Sequence, residues 1–524
     1  MRKTVLVLVI LLTTGAMLFA TGSQQTGPAS TTKLTVEVFD RGSDGGRTPA
    51  DNNMWTDWIK EKVKKDLNID VTFQPVGRWT ETTDIVNLLA SGSAPDLCYS
   101  YNQEAIITFS QQGGLLDLAP YVDRLLPDMK KKYGDDPAIP GQDFIYRNRD
   151  KATGKLYSIT AAGGVAGWRN IFIRKDWLDK LGLPLPTTTQ QFHDALVAFR
   201  DRDPGNVGRN NVIPYGQDSD ARWGFASIVH AYFDPKLSQR DMWIARFSDR
   251  PITVPGYKDG LRLINQWYNE GLIYKDFPLM KVTEDYYNLI KTGVVGAFSG
   301  NWDIPYRQDY KIQDEMAKNV PGAQFVPVDC IQGPDGITWK DIPEKAGGFR
   351  IFVPSSSKNP EAALKYLNWL SIYDNFHYLQ VGIEGINHTI VNGVPQAKTA
   401  VAPYIFNSPN NADYNLAVGG VVMPNPDLNM RVLALSYGNT PPEFIMNAYS
   451  MGGTNGRAVP VLPGAVTTKL GAYGTNLSAK ADALIAQAVT ATTANFDRVW
   501  DDGMRDYLAS GAQEVMDERA SLWK

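Results

Sequence analysis

The sequence is poor in the residues that build metal and redox centres. Its 524 residues include two cysteines and four histidines, too few for a Cys- or His-rich metal site. It has no excess of basic charge. The 52 Lys and Arg stand against 56 Asp and Glu, a formal net charge of −4, which argues against a nucleic-acid footprint. No apolar run approaches the ~20 residues of a bilayer-spanning helix. GxSxG, HExxH and P-loop motifs are missing; Gly113-Gly114 is an isolated pair ahead of an apolar segment, not a phosphate loop. Short internal repeats are missing too. What remains is an ordinary globular composition, 43% hydrophobic and 21% charged. The length suits about three domains or two large ones. Aromatics are plentiful, with 13 Trp, 24 Tyr and 20 Phe.

The N-terminus has the form of a secretory signal. Arg2 and Lys3 precede the apolar run Val5 to Leu12, and small residues follow as far as Ser23. Cleavage is expected after Ala20, with Gly22 as second choice. Residues 21–32, rich in Ser, Thr, Gly and Gln, read as a flexible leader. No cysteine lies near the cut, so a diacylglyceryl-cysteine anchor is not expected. Removing Arg2 and Lys3 leaves 50 basic against 56 acidic residues. The expected location is periplasmic or otherwise extracytoplasmic, where Cys98 and Cys330 are permitted a disulfide; two buried thiols are the alternative.

Lys33–Phe39 alternates apolar and polar residues, the pattern of a strand. Asn53–Leu67 carries apolar residues at helical spacing, Ile69–Gln74 is a second strand, Thr82–Ala90 a helix, and Ala94–Tyr99 a third strand. That order predicts a parallel sheet with helices on its faces. In the middle region, Asp176–Leu181 is helical and closes at Gly182, and Thr188 with Gln191 forms a capping box. Lys258–Asn269 is an amphipathic helix closed by Gly271, and Asn359-Pro360-Glu361 is a strong helix start. The apolar run at Val294–Phe298 reads as a strand returning to the first βαβ set. The expected organisation is therefore 33–160 plus 294–350 as an N-terminal lobe and 161–293 plus 351–524 as a C-terminal lobe. A cleft between two such lobes is a default ligand site, and hinge closure a default motion.

Segments along the mature chain carry a resemblance. They include Ala90–Asp96 (ASGSAPD), Gly113–Val122 (GGLLDLAPYV), Ile173–Leu183 (IRKDWLDKLGL), Phe199–Pro204 (FRDRDP), Trp267–Ile273 (WYNEGLI), Gly296–Trp302 (GAFSGNW) and Val381–Gly385 (VGIEG). In order and spacing these resemble the family 1 extracellular solute-binding proteins of ABC importers. The chain is most similar to the long oligosaccharide-binding, lipoprotein-type subgroup, which has alginate-binding members. The resemblance implies an α/β, two-lobed periplasmic-binding-protein fold with a ligand cleft between discontinuous domains. It implies capture of an oligosaccharide and delivery to the membrane subunits of an ABC permease, without enzymatic turnover, cofactor or nucleic acid; a monomer is expected. Some members of the subgroup bind calcium after the position of FRDRDP. Here Asp203 and Gly208 remain, but Gly205 and Val207 offer no side-chain oxygen where an EF-hand-type loop needs ligands, so no metal is expected.

A sugar presents apolar faces and a hydroxyl rim, which aromatic platforms and directed polar groups recognise. Loops at strand ends are where such groups belong. That filter selects Asp40 and Arg41 after the first strand, Tyr101 and Asn102 after the third, and Trp168 and Arg169 near the first crossing. It adds Trp223 after a polar loop, Trp302 and Asp303 after the strand at 294, Phe349 and Arg350 beyond Gly347-Gly348, and Glu384 and His388 around a Gly-rich turn. Each has an ordinary structural reading: turn, core, cap or satisfied histidine. The competing functions are a secreted polysaccharide hydrolase or lyase, which needs a carboxylate pair that nothing identifies, and a binder of a non-sugar solute such as a peptide.

Overall fold

Alternation of side chains decides the first strand. In β1 (Thr32–Asp40), Leu34, Val36 and Val38 are buried, while Lys33 is exposed. The structure, a computed structural model, describes residues 31–523 apart from 43–44, 136–142, 151–152, 164–167, 282, 308–309, 343–346, 409–410, 420–421, 438–439, 461, 463–464 and 466. The expected signal peptide and all but the last two residues of the leader lie outside the described residues.

Helix α1 (Met54–Leu67) follows β1. Asn53 caps it, accepting from the amides of Trp55 and Thr56, and Trp55, Ile59 and Val63 turn into the core. β2 (Ile69–Gly77) pairs in parallel with β1 along its whole length, Thr32 opposite Ile69 and Asp40 opposite Gly77. It runs three residues past the expected end at Gln74. Pro75 interrupts nothing, because β2 has a sheet neighbour only in β1 and its other edge needs no amide there. Helix α2 (Glu81–Ser91) ends at Gly92, whose φ of 69° needs no Cβ. β3 (Cys98–Ser100) and α3 (Gln103–Gln111) follow. A parallel bridge between Val36 and Leu97 joins β3 to β1. The parallel unit read from the sequence is thus present.

β4 (Ile159–Gly163) lies in the same layer, and the chain then builds a second sheet. β5 (Arg169–Arg174), β6 (Ile213–Tyr215), β7 (Val295–Asn301) and β8 (Phe325–Val328) take the order β6-β7-β5-β8. β9 (Lys340–Ile342) ends this passage. β10 (Gly347–Phe352) returns to the first sheet, antiparallel to both β3 and β4, so that sheet is mixed rather than purely parallel. β11 (His388–Val391) and β12 (Val394–Ala397) form a hairpin, β13 (Val418–Gly419) pairs with β4, and β14 (Gly456–Ala458) pairs with β9.

Two lobe boundaries differ from expectation. β7 pairs with β5, Phe298 opposite Phe172, and with β6, so residues 295–301 belong to the second sheet and not to the first βαβ set. An apolar run buried along its length carries no alternation that would say which sheet it joins. Conversely, the helix Pro360–Trp369 packs Ala363, Leu364 and Leu367 into the first core, with Tyr414 and Leu416 of a later loop. That core spans Leu34 to Ala162 and Phe349 to Ala417; the main second core runs from Ile171 to Ile331 and from Leu470 to Val515. Cys98 and Cys330 are both buried free thiols, Cys98 packed with Ile85, Ile106 and Phe352 and Cys330 in the second core.

In the second lobe, Thr188 caps the helix Thr189–Arg202, but the Gln191 side chain reaches back to the amide of Thr187 rather than Thr188. Gly256 precedes the helix Tyr257–Asn269 at φ 93°, and a Cβ there would sit 1.9 Å from the carbonyl oxygen of Tyr232. Gly256→Ala should therefore cost about 2 kcal/mol or more. Gly271→Ala, at φ 75° but in open space, should cost only about 1 kcal/mol. Chemical denaturation of both variants tests this; equal losses would refute the close-packing argument.

Candidate functional site

Chain geometry brings the two sheets' ends together. β4 ends at Gly163 and β5 begins near Trp168; β9 ends at Ile342 and β10 begins at Gly347. Each connection has four intervening residues, five Cα-to-Cα steps, and spans at most ~18 Å even when fully extended. The end of β4 therefore faces the start of β5. β1, β2 and β3 end at the same side of the first sheet, since β10 runs antiparallel to β3 and to β4. In the second sheet, the start of β5 lies beside the end of β7, Arg169 opposite Asn301. The helix Thr468–Thr490 touches both α3 of the first lobe and the short helix Ala221–Gly224 of the second. The facing ends enclose the candidate site.

On the first lobe, the residues after the strands form a cationic aromatic cluster. Trp79 and Tyr101 are exposed, at 69% and 46%. The Arg78 guanidinium lies 4.5 Å from the ring centre of Tyr101, 5.1 Å from that of Trp79 and 5.3 Å from that of Phe39. Phe349 is buried beneath, 5.6 Å from Tyr101 and 4.5 Å from Tyr99. Arg350 stands on β10 and donates to the Gly348 carbonyl at 3.2 Å. Burial, with the like charge of Arg147, pulls its pKa down to about 10. Arg41 is not free for a ligand. Its Nε and Nη2 bind the two oxygens of buried Asp413 at 2.6 and 2.9 Å. Asp40 turns back on the Gly42 amide at 2.9 Å, and Asn102 caps α3 through the Ala105 amide at 3.0 Å. For these three the turn, pair and cap readings fit the observed bonds.

On the second lobe, Trp168, Arg169 and Trp223 come together and line one pocket with Ser227, His230 and Lys340. The Trp168 and Trp223 rings are 6.2 Å apart. The Arg169 guanidinium covers Trp223 at 4.6 Å and donates to its carbonyl at 2.9 Å, while its buried Nε has no partner. Burial draws the Arg169 pKa down to about 10. Trp302 lies close by through its backbone, its amide donating to the Trp168 carbonyl at 2.6 Å. Its ring, however, is buried edge-on against Tyr437 and Tyr449 at 5.7 and 5.4 Å, and Asp303 accepts from the Tyr437 hydroxyl at 2.9 Å. This pair holds the helix Pro442–Gly453 and its approach onto the sheet, instead of presenting a platform. His388 is a structural histidine: it is buried, its Nδ1 is 2.9 Å from the Val381 carbonyl, and burial lowers its pKa. Glu384 bridges to it at the start of the β11–β12 hairpin. A wider hollow between the helices Thr283–Lys291 and Ile312–Asn319 contains none of these residues.

Sequence reasoning missed Arg78 and Trp79 because it ended the second strand at Gln74. The same strand-end rule would have selected them at the observed end, Gly77. It also missed Asp413, which has no local signal. The 203–211 loop is held by hydrogen bonds within itself. Both oxygens of Asp203 are spent on the amides of Val207 and Gly208, at 3.0 and 2.8 Å, and Gly205 lies against Trp177. Among the described residues no group of three or more His, Cys, Asp or Glu could hold a metal.

Two discontinuous α/β lobes with facing strand ends and aromatic clusters on both sides define a protein that captures a ligand in a cleft, the periplasmic-binding-protein architecture. The bacterial extracellular solute-binding protein family matches residues 52–371, more than half of the chain, and the chain belongs to that family. Its members bind solutes and are not enzymes. Lipoprotein LipO of Bacillus subtilis (strain 168) is 24% identical over 392 residues, 71% of this chain and 70% of its own. The polygalacturonan/rhamnogalacturonan-binding protein YtcQ of the same organism is 22% identical over 373 residues, 67% of this chain and 70% of its own. Among solved structures, the alginate-binding protein AlgQ2 without calcium ion is similar at TM-score 0.66 and 18% identity, covering 94% of this chain and 98% of that one. FusA of S. pneumoniae in complex with kestose is similar at TM-score 0.65 and 16% identity, with the same coverage. These structures share the fold. No described helix is long and apolar enough to cross a membrane.

Asp218, on the loop after β6, gives a pH test. Burial, then the nearby Asp220 charge, pushes its pKa up to about 6 from 3.8. The folded protein holds this proton more tightly than the unfolded chain, so stability is full below about pH 4 and falls as pH rises to about 6. Asp218→Asn should be stabilised relative to the parent at pH 8 by up to about 3 kcal/mol, with the advantage gone at pH 4. Denaturant melts at both pH values check this; a pH-independent difference would contradict it.

Proposed function

We propose that this protein is the exported carbohydrate-binding component of an ABC importer. It captures an oligosaccharide between its lobes by hinge closure and hands it to the membrane permease as a monomeric receptor. The observation that carries the reading is the pairing of exposed Trp79 and Tyr101 on one lobe with the Trp168–Trp223 pair on the facing lobe. Flat rings beside guanidinium groups suit sugar faces and hydroxyl rims. The names of YtcQ and FusA, a pectic-polysaccharide binder and a fructooligosaccharide transporter protein, support the same class of ligand. The N-terminal pattern supports export with cleavage after Ala20.

Binding is then the whole chemistry, and the ligand shifts the open–closed balance only by its greater affinity for the closed form. Titration calorimetry against neutral and acidic oligosaccharides, with product analysis of each mixture, should give saturable binding and intact sugars. Trp79→Ala and Trp223→Ala should each weaken affinity by about tenfold or more. Shortened or unsaturated products would make the protein an enzyme, and unchanged affinity in both variants would move the site elsewhere.

A further inference from the structure

The charges at the facing ends do not balance. Among the described residues, no carboxylate lies within ion-pair distance of Arg78, Arg169 or Arg350, whereas in the second lobe Arg174 takes one and Arg222 and Arg250 take two each. Each guanidinium carries five N–H donors. Arg169 and Arg350 each spend one on a backbone carbonyl, and the buried Nε atoms of Arg78 and Arg169 have no partner. The acids of the same region are already engaged. Asp413 is held by Arg41, Asp220 by Arg222, Asp303 by the Tyr437 hydroxyl and Asp329 by Lys340 and Asn455. Glu81 accepts from the Ser100 hydroxyl and the Tyr101 amide, Asp218 from Gln217, Thr283 and the Asp220 amide, and Asp40 from Gly42. Glu37 is fully buried and raised by that burial, which favours its neutral form. Arg519, also buried without a carboxylate, is different. It lies in the helix Gln513–Leu522, and both its Nε and Nη2 are spent on the Trp243 carbonyl.

Unpaired cations beside aromatic platforms, on both sides of a cleft, leave anionic groups to be supplied from outside. Building on the carbohydrate reading, we propose that the ligand is an acidic oligosaccharide bearing ring carboxylates, and that Arg78, Arg169 and Arg350 receive them. A carboxylate matches the fork of a guanidinium and gains strength from its charge. Rings stacked on Trp79, Tyr101 or Trp223 would present their carboxylates to the adjacent arginines. In Arg350 a carboxylate would also offset the like charge of Arg147.

The test titrates the protein with trigalacturonate and trimannuronate, each beside its methyl ester, and with neutral xylotetraose and maltotetraose. At least one acid trimer should bind about tenfold or more tighter than its own ester, with an advantage that shrinks in high salt. Arg78→Gln, Arg169→Gln and Arg350→Gln should each weaken the acid form about tenfold and the ester less than threefold. Arg169→Lys should keep part of the preference. Thermal melts of the free variants check folding, and Arg78→Gln, at a surface turn, carries the test if Arg169→Gln does not fold. Esters or neutral sugars binding as tightly as the acids would overturn the charge proposal and leave the carbohydrate reading standing. So would acid affinity unchanged in Arg78→Gln and Arg350→Gln. Binding of none of these sugars, acidic or neutral, would overturn both.

Discussion

Two connections of four intervening residues, Gly163 to Trp168 and Ile342 to Gly347, are the constraint on which the rest depends. The first joins the two sheets directly and is too short to carry the end of β4 away from the start of β5; the second ties the β9–β14 pair to the first sheet in the same way, so whatever the strand-end loops display is displayed across a cleft. The cores are separate in sequence as well as in space. One is assembled from 34–162 and 349–417, the other from 171–331 and 470–515. Neither lobe needs to unpack for the cleft to open or close.

Within the first lobe, the Arg41–Asp413 pair decides which groups reach the cleft. Asp413 is buried and also bound by Asn407 at 3.2 Å, and Asn407 in turn donates to the Phe39 carbonyl at 2.8 Å. This ties the end of β1 to a segment more than 360 residues away. Removing one partner of such a pair typically costs about 3–5 kcal/mol, because the other charge is left unmatched. Its structural consequence is that Arg41 serves the fold, while Arg78, one strand over, sits against exposed rings. In the second lobe the division is similar. Trp302 and Asp303 anchor a helix, and Trp168, Arg169 and Trp223 line the pocket.

The legible parts of the fold were those with local causes. Gly182, Thr188 and Asn359 mark helix ends by rules acting within a few residues, and the helices start or stop at them. Of the residues that the strand-end rule picked, Tyr101 and Arg350 stand at strand ends of the first lobe, and Trp168, Arg169 and Trp223 line the second-lobe pocket. The second strand was read as ending at Gln74, three residues short of its end at Gly77, which left Arg78 and Trp79 unread. The rule failed at Trp302, because flanking glycines say that a backbone can come close to something without saying to what. Here Gly300 meets Ile304, and the ring meets Tyr437 and Tyr449.

The sequence by itself determined the class of the protein: the parallel βαβ start, the helix caps, the aromatic wealth and the spaced segments that mark the family. These are short-range or order-based features, and order survives folding. Tertiary structure alone decided which sheet residues 295–301 join, which arginines are paired and which rings are exposed. A buried apolar strand fits either core equally well, and an arginine's partner is set by whichever carboxylate folding brings within about 3 Å. For Arg41 that carboxylate came from residue 413; for Arg78, Arg169 and Arg350 none of the described residues supplies one.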